Sequence, residues 1–145
     1  MGKLVCFGEI MCRLNPAGYL RISQADDFLV SFAGGEANVA VAVANLGGDA
    51  KFVTKLPDND LARHAIRILR GYGVDVDDIL LGGERMGIYF VEKGASQRPS
   101  KVLYDRKYSS ISAAVSTDFD WATIFDGVDW FHFTGITPAL SDSLV

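Results

Sequence analysis

The sequence predicts an α/β fold: a parallel sheet flanked by helices, interrupted once by a small antiparallel β element. Three observations lead there. Short apolar runs alternate with helical patterns from Lys3 to Gly73. Glycines stand where those helices should stop. Between Arg85 and Arg106 two strand-like runs break the alternation, which then resumes.

Lys3 to Phe7 is a short apolar run closing on Gly8-Glu9 and reads as a buried strand. Asn15-Pro16-Ala17-Gly18 is turn chemistry, and Asp27 to Phe32 is a second strand candidate. The stretch AGGEANVAVAVANLGG, Ala33 to Gly48, alternates Ala and Val as a strand would. Alanine, however, is the best helix former and is depleted from strands. Val39, Val43 and Leu46 also stand at i, i+4 and i+7, and Gly47-Gly48 is a helix stop. The spacing predicts a helix over Glu36–Leu46, apolar nearly all round and buried on most sides.

Lys51 to Lys55 reads as the next strand. Asp58 or Asn59 caps a helix that puts Leu61, Ala65, Ile68 and Leu69 on one face. Its Arg63, Arg67 and Arg70 form a solvated face, and Gly71 and Gly73 stop it. Met86–Glu92 and Lys101–Arg106 make the hairpin, joined by the loop GASQRPS. Its first arm is apolar on both faces, Ile88 and Phe90 against Tyr89 and Val91, so both need cover from a ligand, a partner chain or the domain body. Asp118–Phe125 then reads as a short helix and Val128–Phe133 as a strand, with Trp130, Phe131 and Phe133 as sheet packing. Thr137-Pro138 reads as an N-cap and the first position of a helix that is cut off at Val145, as in the front part of something longer.

Composition narrows the function classes. A chain of 145 residues, 49% apolar, suits one domain with a real core. The net charge is −4 and there is no basic stripe, so nucleic acid is not an expected partner. No apolar run approaches the roughly 20 residues of a membrane span, and MGKLVCFGE lacks the long apolar segment of a signal peptide. Cys6 and Cys12, without CxxC spacing, read as reduced, buried thiols of a cytoplasmic protein. His64 and His132 are far from each other and from the cysteines, so no metal site is expected.

Open α/β sheets bind ligands beyond the carboxyl ends of their strands. Gly34-Gly35 precede a helix start, and Asn38 projects from its first turn. Glycines there admit a ligand to the backbone, and the helix N-terminus offers free N–H groups. The stretch is neither GxGxxG nor GK[ST], and Glu36 would repel a phosphate. A polyol fits, because hydroxyls both donate to and accept from Asn38, Glu36 and exposed amides. On the residues alone, the alternative is a glycine pair that only admits a tight turn.

The segments FGEIMCRLNP, GGEANVAVAVANLGG and VTKLPDND, with VLYDRKYSS and WFHFTGITPAL, resemble the N-terminal half of the ribokinase-like (PfkB-type) carbohydrate kinases. The resemblance runs from Lys3 to the end, and YDR narrows it to the branch acting on 2-keto-3-deoxygluconate. It implies a ribokinase-like parallel sheet with a small β-sheet lid over the sugar, built from segments about 13–33 and 79–108. The implied substrate contacts match Gly34, with the displaced second glycine Gly35, then Asn38, Tyr89, Tyr104, Arg106 and the backbone at Gly135-Ile136. Tyr104 and Arg106 alternate along a strand and so share a face, about 7 Å apart. A guanidinium there can grip a carboxylate through two parallel hydrogen bonds. The alternatives are a surface ion pair for Arg106, and lid core or a subunit interface for the tyrosines.

The sequence departs from the family pattern in places. Ala33-Gly34 stands where the family has two glycines, and Pro57-Asp58-Asn59-Asp60 where a glycine-rich stretch often follows the third strand. No GAGD-like segment occurs. The family's ATP site and catalytic aspartate are therefore expected beyond Val145, with no catalytic residue or metal ligand within these 145 residues. ATP and Mg2+ belong to the full-length parent by this resemblance, and the chain alone is expected to be inactive. The implied function is the substrate side of a kinase moving the ATP γ-phosphate to a sugar acid. The alternative is a noncatalytic carbohydrate-binding or regulatory module. A dinucleotide-binding oxidoreductase is disfavoured, since its fingerprint glycines are missing. Expected partners are a small-molecule sugar or sugar acid and a second copy of the chain through the lid.

Overall fold

The computed structural model describes residues 2–145. In chain order the strands are β1 (Lys3–Phe7), β2 (Met11–Asn15), β3 (Leu29–Ala33), β4 (Asp49–Val53), β5 (Lys55–Leu56), β6 (Leu80–Leu81), β7 (Ile88–Glu92), β8 (Lys101–Asp105) and β9 (Trp130–His132). The helices are α1 (Gly35–Asn45), α2 (Asp60–Gly71) and the short α3 (Trp121–Ile124). Among the described residues none is long and apolar enough to cross a membrane.

The central sheet is parallel, in the order β4-β1-β9. β1 runs in register with β4 from Lys3 opposite Asp49 to Phe7 opposite Val53, and with β9 from Leu4 opposite Trp130 to Cys6 opposite His132. One core joins Cys6 and Phe52 to Ala37 and Ala40 of α1 and to Ala62, Ala65 and Leu69 of α2. Small side chains let α1 lie close against β1 and β4. A second core joins Val5, Phe7 and Val53 to Ile111, Phe119 and Ile124. The sheet is therefore covered on both faces, as parallel sheets require.

The helix signals read in the sequence hold. The Asn59 side chain accepts a hydrogen bond from the Ala62 N–H at 3.0 Å and so starts α2. The Gly48 N–H returns to the Val43 carbonyl at 2.9 Å and closes α1. Arg63, Arg67 and Arg70 face solvent.

A second sheet has the order β3-β2-β7-β8, with β2–β7 parallel and the other two pairs antiparallel. The hairpin and the Asp27–Phe32 segment thus share one sheet, joined by β2, a strand that the sequence reading lacks. The face carrying Cys12, Phe32 and Ile88 packs into the first core. There the Phe32 ring meets His64 of α2 edge-on at 5.1 Å.

Four expectations need correcting. α1 is buried only along Glu36, Ala37 and Ala40, because it lies on one side of the sheet, and Leu46 is 78% exposed. Asp118–Phe125 is a 3-10 turn followed by the one-turn α3, not one helix. Trp130, Phe131 and Phe133 are packed only in part: Phe131 meets Phe125 edge-on at 5.0 Å, but all three keep exposed surface, since no strand lies beyond β9 among the described residues. Thr137 does not cap a helix: it is itself helical (φ −63°, ψ −50°), its hydroxyl turns to Glu36, and a 3-10 turn, Pro138–Leu140, follows.

Candidate functional site

The connection Gly8–Ile10 leaves the carboxyl end of β1, the central strand, where open α/β sheets bind their ligands. A cavity of about 170 Å³ opens there, between the start of α1, the second sheet and the turn after β9. Gly34, Gly35, Asn38, Tyr89, Tyr104, Arg106 and Ile136 all line it. Segments spread over most of the chain therefore converge on one place.

Each wall has a physical cause. Gly34 is extended, which any residue can be (φ −167°). Its missing side chain is required by packing, because a Cβ there would stand 1.9 Å from the Glu9 carbonyl oxygen. The space at Gly34 thus serves the protein's own backbone. At Gly35, by contrast, the nearest neighbour of an added Cβ is 3.9 Å away, and the residue is exposed to the cavity with Asn38.

Tyr89 and Tyr104 are paired across β7 and β8, so their rings lie on one face. They stack at 5.7 Å between centroids, tilted by 24°. Burial raises the Tyr89 phenol pKa, against the nearby Arg13 charge, so it stays a neutral hydroxyl. The Arg106 guanidinium stands 5.8 Å from the Tyr104 ring centroid, within cation–π range. Asp105, on the opposite face, pairs with Arg85 at 2.8 Å, which holds its carboxyl below the usual range.

The sequence reading missed Glu9, Met11 and Thr137, which also line the cavity. Glu9 is buried, and its Oε2 accepts from Arg106 Nη2. Arg106 thus has a partner, but a buried one inside the site rather than a surface ion pair at the hairpin edge. The available signal was Glu9's position immediately after the first strand.

Glu36, expected to meet a polyol, lines the cavity and also has a structural task. Its Oε1 accepts from the Thr134 N–H at 3.1 Å and the Thr134 hydroxyl at 2.6 Å, which ties α1 to the segment after β9. Its charge, added to burial, pushes the Cys6 thiol up to about 12. Cys6 and Cys12 are both free and buried.

A larger groove of about 510 Å³ lies elsewhere, between Phe7, Trp121, Phe131, Phe133 and Leu144. It is almost wholly apolar and has no convergent polar groups to orient a ligand. Among the described residues no cluster of three or more His, Cys, Asp or Glu is placed to hold a metal.

The sequence matches the model of the pfkB family carbohydrate kinases over residues 1–143. It is 39% identical to a 2-dehydro-3-deoxygalactonokinase of Haloferax volcanii, over 98% of this chain. It is 34% identical to a 2-dehydro-3-deoxygluconokinase of Thermoproteus tenax, over 99% of this chain. The crystal structure of 2-dehydro-3-deoxygluconokinase from Thermotoga maritima superposes with a TM-score of 0.97 at 57% identity, over 99% of this chain. The chain spans 44% of the length of each of these three proteins.

Proposed function

The chain belongs to the pfkB family of carbohydrate kinases, and on that premise we propose that it forms the sugar-binding side of a kinase for 2-keto-3-deoxygluconate or a related sugar acid. One observation carries this reading: the stacked tyrosines, Arg106, Asn38 and the open Gly35 face one cavity at the carboxyl end of the central strand. Arg106 takes the ligand carboxylate, Asn38 and the amides at the start of α1 orient hydroxyls, and Tyr89 and Tyr104 cover the chain of the sugar. The second sheet is the lid, and it excludes water from the bound sugar. The relatives matched are kinases, which leaves a noncatalytic module without support.

We infer that the nucleotide and Mg2+ bind outside this pocket, since the helix start that would cradle phosphate carries Glu36. We assign both, with the catalytic carboxylate, to the part of the relatives that this chain does not span. The free, buried cysteines suit the cytoplasm.

Isothermal titration calorimetry of the chain with 2-keto-3-deoxygluconate and with neutral fructose tests the site. Arg106→Ala should weaken the acid by about 2–4 kcal/mol and leave fructose nearly unchanged. Equal losses for both would sink the carboxylate role. In a coupled assay with ATP and Mg2+ the 145 residues alone should release no ADP. Turnover that survives removal of contaminating kinase would show that the catalytic group lies within them.

A further inference from the structure

We propose that Glu9 sets the charge selectivity of this pocket, because its buried carboxylate holds and partly neutralises Arg106. The inference rests on the reading that the pocket takes a sugar acid. The Glu9 side chain is 3% exposed. Oε2 is engaged by Arg106, while Oε1 is buried and has no hydrogen-bond partner, and neither has Arg106 Nε. A buried carboxylate oxygen without a donor is costly, and natural sites seldom leave one so.

The backbone is built around this group. Gly34 makes room for the Glu9 carbonyl, and a Cβ at Gly87 would stand 2.7 Å from Oε1. The pocket wall thus holds two buried carboxylates, Glu9 and Glu36, against the Arg106 guanidinium. Glu36 is engaged by Thr134. Of the two, Glu9 is the one paired with Arg106.

One consequence follows for the ligand. Arg106 is not a bare cation, so its preference for an acid over a neutral sugar is moderated by the adjacent negative charge.

The test is calorimetric titration of the full chain with 2-keto-3-deoxygluconate and with fructose, reading the ratio of the two affinities. Glu9→Gln removes the charge with little change of shape and should raise the acid-to-fructose ratio about tenfold. Glu9→Asp keeps the charge but withdraws it from Arg106, and should raise the ratio about threefold. In an Arg106→Gln background the Glu9→Gln effect should shrink to about threefold or less, because only direct repulsion of the ligand carboxylate remains, which a merely structural role for Glu9 would not produce. An unchanged or lowered ratio in Glu9→Gln overturns the proposal, as does the same rise without Arg106. Should Glu9→Gln lose its cooperative unfolding transition, Glu9→Asp decides: no rise overturns it. Wild-type chain that binds the acid while neither variant moves the ratio removes only Glu9's role. Wild-type chain that binds neither sugar removes the pocket reading, and this inference with it.

Discussion

β1 and β8 are five-residue strands with similar sequences, KLVCF and KVLYD. In β1, Val5 and Cys6 are wholly buried, whereas every residue of β8 is exposed. The difference comes from neighbours. β1 has a strand on each side and a core on each face; β8 has β7 alone. An apolar strand is thus worth as much as the layers around it. The central sheet spends its apolar residues on stability, and the outer sheet keeps one face for the pocket.

Substitutions in the two strands should break or sharpen this contrast. Phe7, in β1, packs edge-on against Phe119 at 5.4 Å and Trp121 at 5.3 Å. Phe7→Ala should destabilise the chain by about 3–5 kcal/mol in urea melts. Leu103→Ala, in β8, should cost under about 0.5 kcal/mol by the same measurement. Similar losses for both would mean that β8 is covered in solution.

The exposed β8 edge gives the next effect. Open apolar edges recruit partners, and we expect a second copy of the chain to pair through this sheet. Leu103→Lys should weaken self-association at least about tenfold in light scattering, a loss of about 1.4 kcal/mol or more. A monodisperse wild-type monomer at high concentration would count against the interface.

The smallest effect is electrostatic and belongs to the central body. Asp118 accepts from Lys55 at 2.7 Å, and this contact, helped by the Val115 N–H, holds its carboxyl below the usual range. A lowered carboxylate pKa stabilises the fold above the ordinary value, and that contribution fades as pH falls through the folded value. Asp118→Asn should therefore cost up to about 1 kcal/mol at neutral pH, and the gap should close in acid, once pH has fallen through the folded value. A gap that persists in acid would assign the loss to packing.

The two sheets also differ in how far they could be read from the sequence. β1, both long helices and the hairpin follow from local period and caps, with Asn59 as the plainest signal. β2 was not legible, because MCRLN mixes Arg13 and Asn15 with apolar residues, and its strand state comes from pairing with β3 and β7. Thr137-Pro138 carries a cap signature, yet the Thr137 hydroxyl finds Glu36 instead. The expected pocket residues converge, but Glu9 stayed hidden because its meaning depends on Arg106, a distant partner in the chain.

The register of β1 has a further consequence, for the order of events during synthesis. Its first neighbour, β4, ends at Val53, but Leu4 pairs with Trp130 and Cys6 with His132, each 126 residues further along. β1 therefore waits for its second neighbour long after it has met its first. Such long-range parallel pairing makes folding slow, and until β9 arrives an apolar edge stands open to other nascent chains. The Lys3 N–H bond to the Asp129 carboxylate, 2.7 Å long, closes the same seam from its outer end. A chaperone that holds the first strand until β9 emerges should raise the yield of folded chain more than one acting after release.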